Sequence, residues 1–188
     1  MFYAWTFLGY IWQNFGFQLL DFGCALPTFK GMGRGEGRPV ADFLRRLTFS
    51  TLLGDNDAHA KNIGILHLPG RSVLADVYDA VPNLFQDGPI RIDCNLALAI
   101  DGSFDHRRIS VAHLIREAEH WNALGTGEPE QIVTATLADF AKALDHVTVP
   151  PGVPAATATQ LAWNVERLQA GEEIGERPTG YRRRRRRP

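Results

Sequence analysis

Two cysteines, Cys24 and Cys94, stand far apart with no Cys-x-x-Cys or Cys/His spacing around them. That pattern excludes a disulfide framework and a zinc knuckle, and the expectation is two free thiols in a reducing cytoplasm. No charge of either sign falls before Asp21, and the only lysines are Lys30, Lys61 and Lys142. The aromatic residues 1–20 thus have no basic n-region, no small-residue cleavage site and no flanking cation to orient a span. Gln13 and Asn14 interrupt them, so neither a signal peptide nor membrane insertion is expected. No repeat of solenoid length is visible, and no H-E-x-x-H pair joins His59 or His67 into a hydrolase metal site.

What is present has the balance of one water-soluble globular domain. The chain has 188 residues, 45% hydrophobic and 22% charged, enough to bury a core. The formal charge of −1 conceals an asymmetry. Six of the 20 basic residues form the uninterrupted arginine run at 182–187, leaving 14 against 21 acids. An acidic body is a poor partner for a polyanion, so direct nucleic-acid binding is expected only weakly and only through that run.

Hydrophobic spacing sets out the organisation. Gly31, Gly33, Gly35 and Gly37 alternate in a connector whose spacing reads as neither G-x-G-x-x-G nor a P-loop. Pro39 suits a first helical turn, and Val40, Phe43, Leu44 and Leu47 recur at helical spacing up to a stop at Gly54. Residues 55–62 are polar, ionisable and too many for a tight turn, which reads as a functional loop. A hairpin comes next, with strands over 63–66 and 73–78 around Leu68-Pro69-Gly70-Arg71. A strand over 94–100 is closed by Asp101-Gly102. Three helices complete the pattern: one capped by Ser110, one over 128–147, and one carrying Leu161, Ala162, Val165 and Leu168 beyond the Pro-rich break at 149–154. Trp121 and Trp163 read as packing anchors, and His106, His113, His120 and His146 as surface residues. From Gly171 the pattern is lost and a disordered tail is expected. The fold class is therefore α+β and mainly helical, with residues 1–20 a separate aromatic segment, 21–170 the domain and 171–188 an Arg-rich tail.

The chemistry lies in the loop and the hairpin. Asp57 and Asn62 are five positions apart in one loop. A hairpin sets the residues just before its first strand beside those just after its second, so Asp57 and Asn62 should approach Asp79. Two carboxylates and an amide oxygen are the parts phosphoryl transfer requires: one carboxylate to take the proton of the attacking hydroxyl, the other groups to hold Mg²⁺ on nucleotide phosphates. The Asp-to-Asn interval equals that of the kinase loop H-R-D-x-x-x-x-N, and Asp79 stands where D-F-G would, though neither motif is spelled out.

The stretch Leu52-Leu53-Gly54-Asp55-Asn56-Asp57-Ala58-His59-Ala60-Lys61-Asn62, with Val77-Tyr78-Asp79 after it, resembles the catalytic core of the HipA family of bacterial serine/threonine kinases, the toxins of toxin–antitoxin pairs. The likeness runs from about Asp21 to Gly171, including the Leu96-Ala97-Leu98 strand, and covers a C-terminal lobe only. It implies a kinase C-lobe-like helical domain whose short hairpin carries an ATP and Mg²⁺ site. It also implies Asp57 as catalytic base, Asn62 and Asp79 as metal ligands, and His59, Lys61 and Asn62 against the phosphates. Family members add an N-lobe with a phosphate-gripping loop and a nucleotide-pairing lysine. No such motif can be read here, so the chain looks truncated. Two readings stay open: a kinase acting on a protein hydroxyl, and a non-catalytic remnant lobe that docks a helix-turn-helix antitoxin or a separately encoded N-lobe.

Overall fold

The computed structural model describes residues 39–59, 62–69, 71–78, 80–82, 84, 94–146 and 155–181. The aromatic segment 1–20, the glycine connector, Lys61, Asp79, the 149–154 break and the 182–187 arginines lie outside them. The architecture is the mainly helical α+β one expected, a kinase C-lobe-like helical body carrying a short hairpin. In chain order it comprises α1 (Pro39–Leu53), β1 (Ile65–Leu68), β2 (Arg71–Leu74), β3 (Asn95–Ile100) and β4 (Ser103–Asp105). A 3₁₀ turn (His106–Arg108), α2 (Val111–His120), α3 (Glu128–His146) and α4 (Ala155–Gln169) complete it.

Helix α1 is the axis of this body, packed against α2, α3, α4 and β2. Ala41, Leu44, Phe49, Leu52 and Leu53 are all buried, and the Phe49 ring meets Phe140 of α3 at 5.8 Å between centroids. Buried hydroxyls interleave with them without penalty: Thr48 Oγ1 and Thr51 Oγ1 each donate 2.8 Å back to the carbonyls of Leu44 and Leu47. Trp121 stacks on Phe43 at 5.2 Å, the anchoring expected of it.

The local punctuation does what the sequence predicts. Ile100 pairs with Ser103 around Asp101-Gly102, whose φ values of 48° and 76° are the left-handed pair a two-residue hairpin turn demands. Ser110 opens α2 in a reciprocal cap, its N–H and Oγ both meeting His113 Nδ1 at 3.2 and 2.8 Å. The first hairpin also forms, but shifted: Ile65 pairs with Leu74 and Leu68 with Arg71, so the strands are 65–68 and 71–74 rather than 63–66 and 73–78. Only Pro69 and Gly70 separate the strands, so pairing extends to the turn. Leu66 and Leu68 are exposed, so burial does not mark the strand ends.

Two expectations fail. The segment from 171 to 181 is not a loose tail. Ile174 is buried, its N–H donates 3.0 Å to Ile109 O, Gly175 N–H donates 2.7 Å to Arg107 O, and Trp163 Nε1 donates 2.9 Å to Ile174 O. Arg107 grips Asp105 through Nε and Nη2 and reaches Glu176 through Nη1 at 2.9 Å. The contacts of 174–176 with Ile109 and Arg107 span more than sixty positions of sequence, so no periodicity announces them. His106, expected at the surface, is buried, with Nε2 2.7 Å from Thr51 O at the end of α1. Among the described residues no helix is long and apolar enough to cross a membrane.

Burial pushes the His106 imidazole below its ordinary value, the bond to the Thr51 carbonyl opposing only in part. The folded protein thus binds fewer protons at this site than the unfolded chain. The stabilisation is whole above about pH 6.5, where the unfolded imidazole titrates, and is lost as pH falls toward the folded value, at no more than about 1.4 kcal/mol per pH unit. Urea midpoints at pH 7.5 and 5.5 should therefore fall with acid in the wild type and fall less in His106→Gln; identical slopes would remove His106 from the account.

Candidate functional site

The loop begins where α1 stops. Gly54, at φ 70°, supplies the left-handed residue; its N–H donates 3.2 Å to Thr51 O and the Asp55 N–H 3.0 Å to Ser50 O, the paired bonds of a Schellman ending. Asp55 is buried, and its Oδ1 accepts the Asp57 N–H at 3.1 Å, turning the chain outward. Asp57 is consequently exposed.

The Asp57 backbone then closes the loop on itself. Its carbonyl accepts the His59 N–H at 2.7 Å and Asn62 Nδ2 at 2.8 Å, while the Asn62 N–H donates 2.9 Å to His59 O. The Asn62 amide gives one N–H to Asp57, and its oxygen is the donor type a hard cation takes. The Asp57 carboxylate lies 3.7 Å from His59 Nε2. Asp57, His59 and Asn62 are therefore brought together in one loop.

Lys61 and Asp79 lie outside the described residues, but the chain on either side of Asp79 is placed. Beyond β2 the pairing runs one step further, Ala75 N–H donating 2.8 Å to Gly64 O. A Cβ on Gly64 would stand 2.9 Å from the Ala75 Cβ and 3.7 Å from the Tyr78 ring. Tyr78 therefore stands beside the residue two past Asn62. On the far side, Leu84 N–H donates 3.2 Å to Gly54 O, returning the chain to the loop's stem. Arg46 of α1, buried in the helix, donates through Nη2 to the Ala75 carbonyl. Burial pushes its guanidinium below the ordinary arginine value, with Asp76 opposing.

Sequence reasoning passed over Asp55, Gly64 and Arg46. The first two had a signal, an Asp two residues before an exposed Asp and a glycine beside a strand. Among the described residues no cluster of three His, Cys, Asp or Glu side chains is placed to hold a metal. A surface cleft of about 200 Å³ between Leu84, Cys94, His106 and Ile174 contains none of the predicted residues.

A helical body whose core helix ends in an Asp-x₄-Asn loop, with a hairpin returning beside it, is the C-lobe-like arrangement of a kinase fold. The chain belongs to the HipA-like C-terminal domain family, whose model matches residues 25–147 and so spans α1 through α3 with the whole loop and hairpin. No curated protein and no solved structure matches it.

The left-handed Gly54 predicts its own test. Gly54→Ala should destabilise the fold by about 1–2 kcal/mol, the cost of a Cβ in that conformation, read as a lowered urea midpoint. A neutral substitution would show that the loop tolerates another exit from α1.

Proposed function

We propose that this chain is the catalytic lobe of a HipA-type serine/threonine protein kinase, which moves the γ-phosphate of ATP to a protein hydroxyl. The observation that supports this most is the closed 57–62 loop. The bond from Asn62 Nδ2 to the Asp57 carbonyl ties the candidate base to the candidate ligand and leaves an amide oxygen for a cation. ATP·Mg²⁺ fits that donor set: Asn62 and Asp79 would hold the ion, and His59 and Lys61 would face the phosphates. The ion supplies neutralisation of charge on the phosphoryl oxygens. Asp57, exposed and held by its backbone, orients the incoming Ser or Thr hydroxyl and takes its proton. His59, beside that carboxylate, is placed to fix its orientation.

Positioning and charge neutralisation are nearly all a kinase contributes, so the rate depends on a phosphate-gripping N-lobe beside this one. A second reading takes the exposed loop and hairpin as a binding module whose partner is a helix-turn-helix antitoxin or a separately encoded N-lobe. In the kinase reading an N-lobe completes the nucleotide cleft, and a helix-turn-helix antitoxin regulates the enzyme.

Calorimetric titration with Mg·ATP separates the two. The kinase reading expects heat that depends on Mg²⁺, an affinity about tenfold weaker in Asp79→Asn, roughly 1.4 kcal/mol, and Asp57→Ala binding nearly as well as wild type. With a protein acceptor, Asp57→Ala should show no phosphate transfer. Equal transfer by wild type and Asp57→Ala would sink the kinase reading. No Mg·ATP heat together with tight binding to a small helix-turn-helix protein would select the module.

A further inference from the structure

A guanidinium is an expensive group to place inside a core helix. An aliphatic side chain at position 46 would pack against α1's neighbours without desolvating a charge, so the buried arginine needs a partner that uses it. Its hydrogen-bond acceptor is the Ala75 carbonyl, and the first facing charge is the next residue, Asp76. Ala75 is engaged at both backbone groups, since its N–H donates to Gly64 O. From this crossing the chain runs back two residues to Asn62 and on four residues to Asp79. The hairpin beyond it presents Leu66 and Leu68 to solvent, so its outer part adds little to its own attachment.

We infer that Arg46 is a positioning residue: by holding the Ala75 carbonyl it ties the crossing between the Asn62-bearing and Asp79-bearing segments to α1, the helix that also launches Asp57. Cation and nucleotide affinity would then depend on a side chain that touches neither. The effect on affinity rests on the kinase reading above; the attachment itself does not. Asp76 and Tyr78, which with Asp42 of α1 oppose the desolvation of Arg46, belong to the same segment. Gly64 is the complementary element, because any side chain there pushes on Ala75 from outside the core.

The test uses the full chain with two readouts, amide hydrogen exchange and Mg·ATP calorimetry. In Arg46→Met the Ala75 amide should exchange at least about tenfold faster while the Phe140 amide in α3 keeps its protection. The Mg·ATP dissociation constant should rise about tenfold. Arg46→Lys, which keeps the charge and one donor direction, should recover part of both effects. Gly64→Ala should loosen the same amide without touching the core, and combining it with Arg46→Lys should give less than the sum of the two. Should Arg46→Met fail to fold, Arg46→Lys and Gly64→Ala carry the comparison. Unchanged Ala75 exchange would overturn the attachment. Faster exchange with unchanged Mg·ATP affinity would reduce Arg46 to a structural residue and overturn the positioning role. If the wild type takes up no Mg·ATP, the kinase reading falls on that result alone, and the exchange data still decide whether Arg46 holds the crossing.

Discussion

The buried end of α1 is the constraint from which the rest of this molecule is arranged. The last carbonyls of a helix have no partner within it, and leaving one buried and unpaired costs about 1–3 kcal/mol. Here the donors come from across the chain. Ser50 O takes the Asp55 N–H, Thr51 O takes the Gly54 N–H and His106 Nε2, and Leu52 O takes Asn164 Nδ2 at 2.9 Å. Asn164 is wholly buried and is itself steadied by Gln160, whose Nε2 meets its Oδ1 at 3.0 Å. A turn after β4 and a turn of α4 are thus fixed at one point, and the candidate loop starts there.

That placement has an electrostatic consequence. The C-terminal end of a helix carries the negative pole of its dipole, where carboxylates are disfavoured. Asp55 and Asp57 stand just past that end. Asp55 offsets the cost by accepting the Asp57 N–H, and Asp57 by remaining in water near an imidazole. A loop built this way has a standing preference for positive charge.

Much of this was legible because the rules that govern it are local. The α1 stop at Gly54, the Asp101-Gly102 turn and the Ser110 cap each depend on a few adjacent residues. The 57–62 loop closes within itself, through the Asn62 side chain and the His59 and Asn62 amides. What escaped depends on distant partners. His106 is drawn inward by a carbonyl 55 positions away, and the 174–175 backbone pairs with Ile109 and Arg107, so neither leaves a periodic trace. Arg46 was hidden differently: it comes directly after Arg45, which pairs with Asp42 on the half-buried face, and two adjacent arginines read as one polar stripe although they point to different environments.

The family match ends at residue 147, yet the foundation of the loop extends past it. Asn164 is the side-chain donor to Leu52 O, and the segment beyond α4 closes against Arg107 within the His106 turn and Ile109 just after it. Removing α4 would leave Leu52 O without that donor in a packed interior, whereas the Arg46 bond to Ala75 O draws no group from α4. The two supports of the candidate site are therefore mechanically distinct. One fixes where Asp57 begins and draws on the last quarter of the chain. The other sets where the hairpin opens and lies wholly within the matched domain.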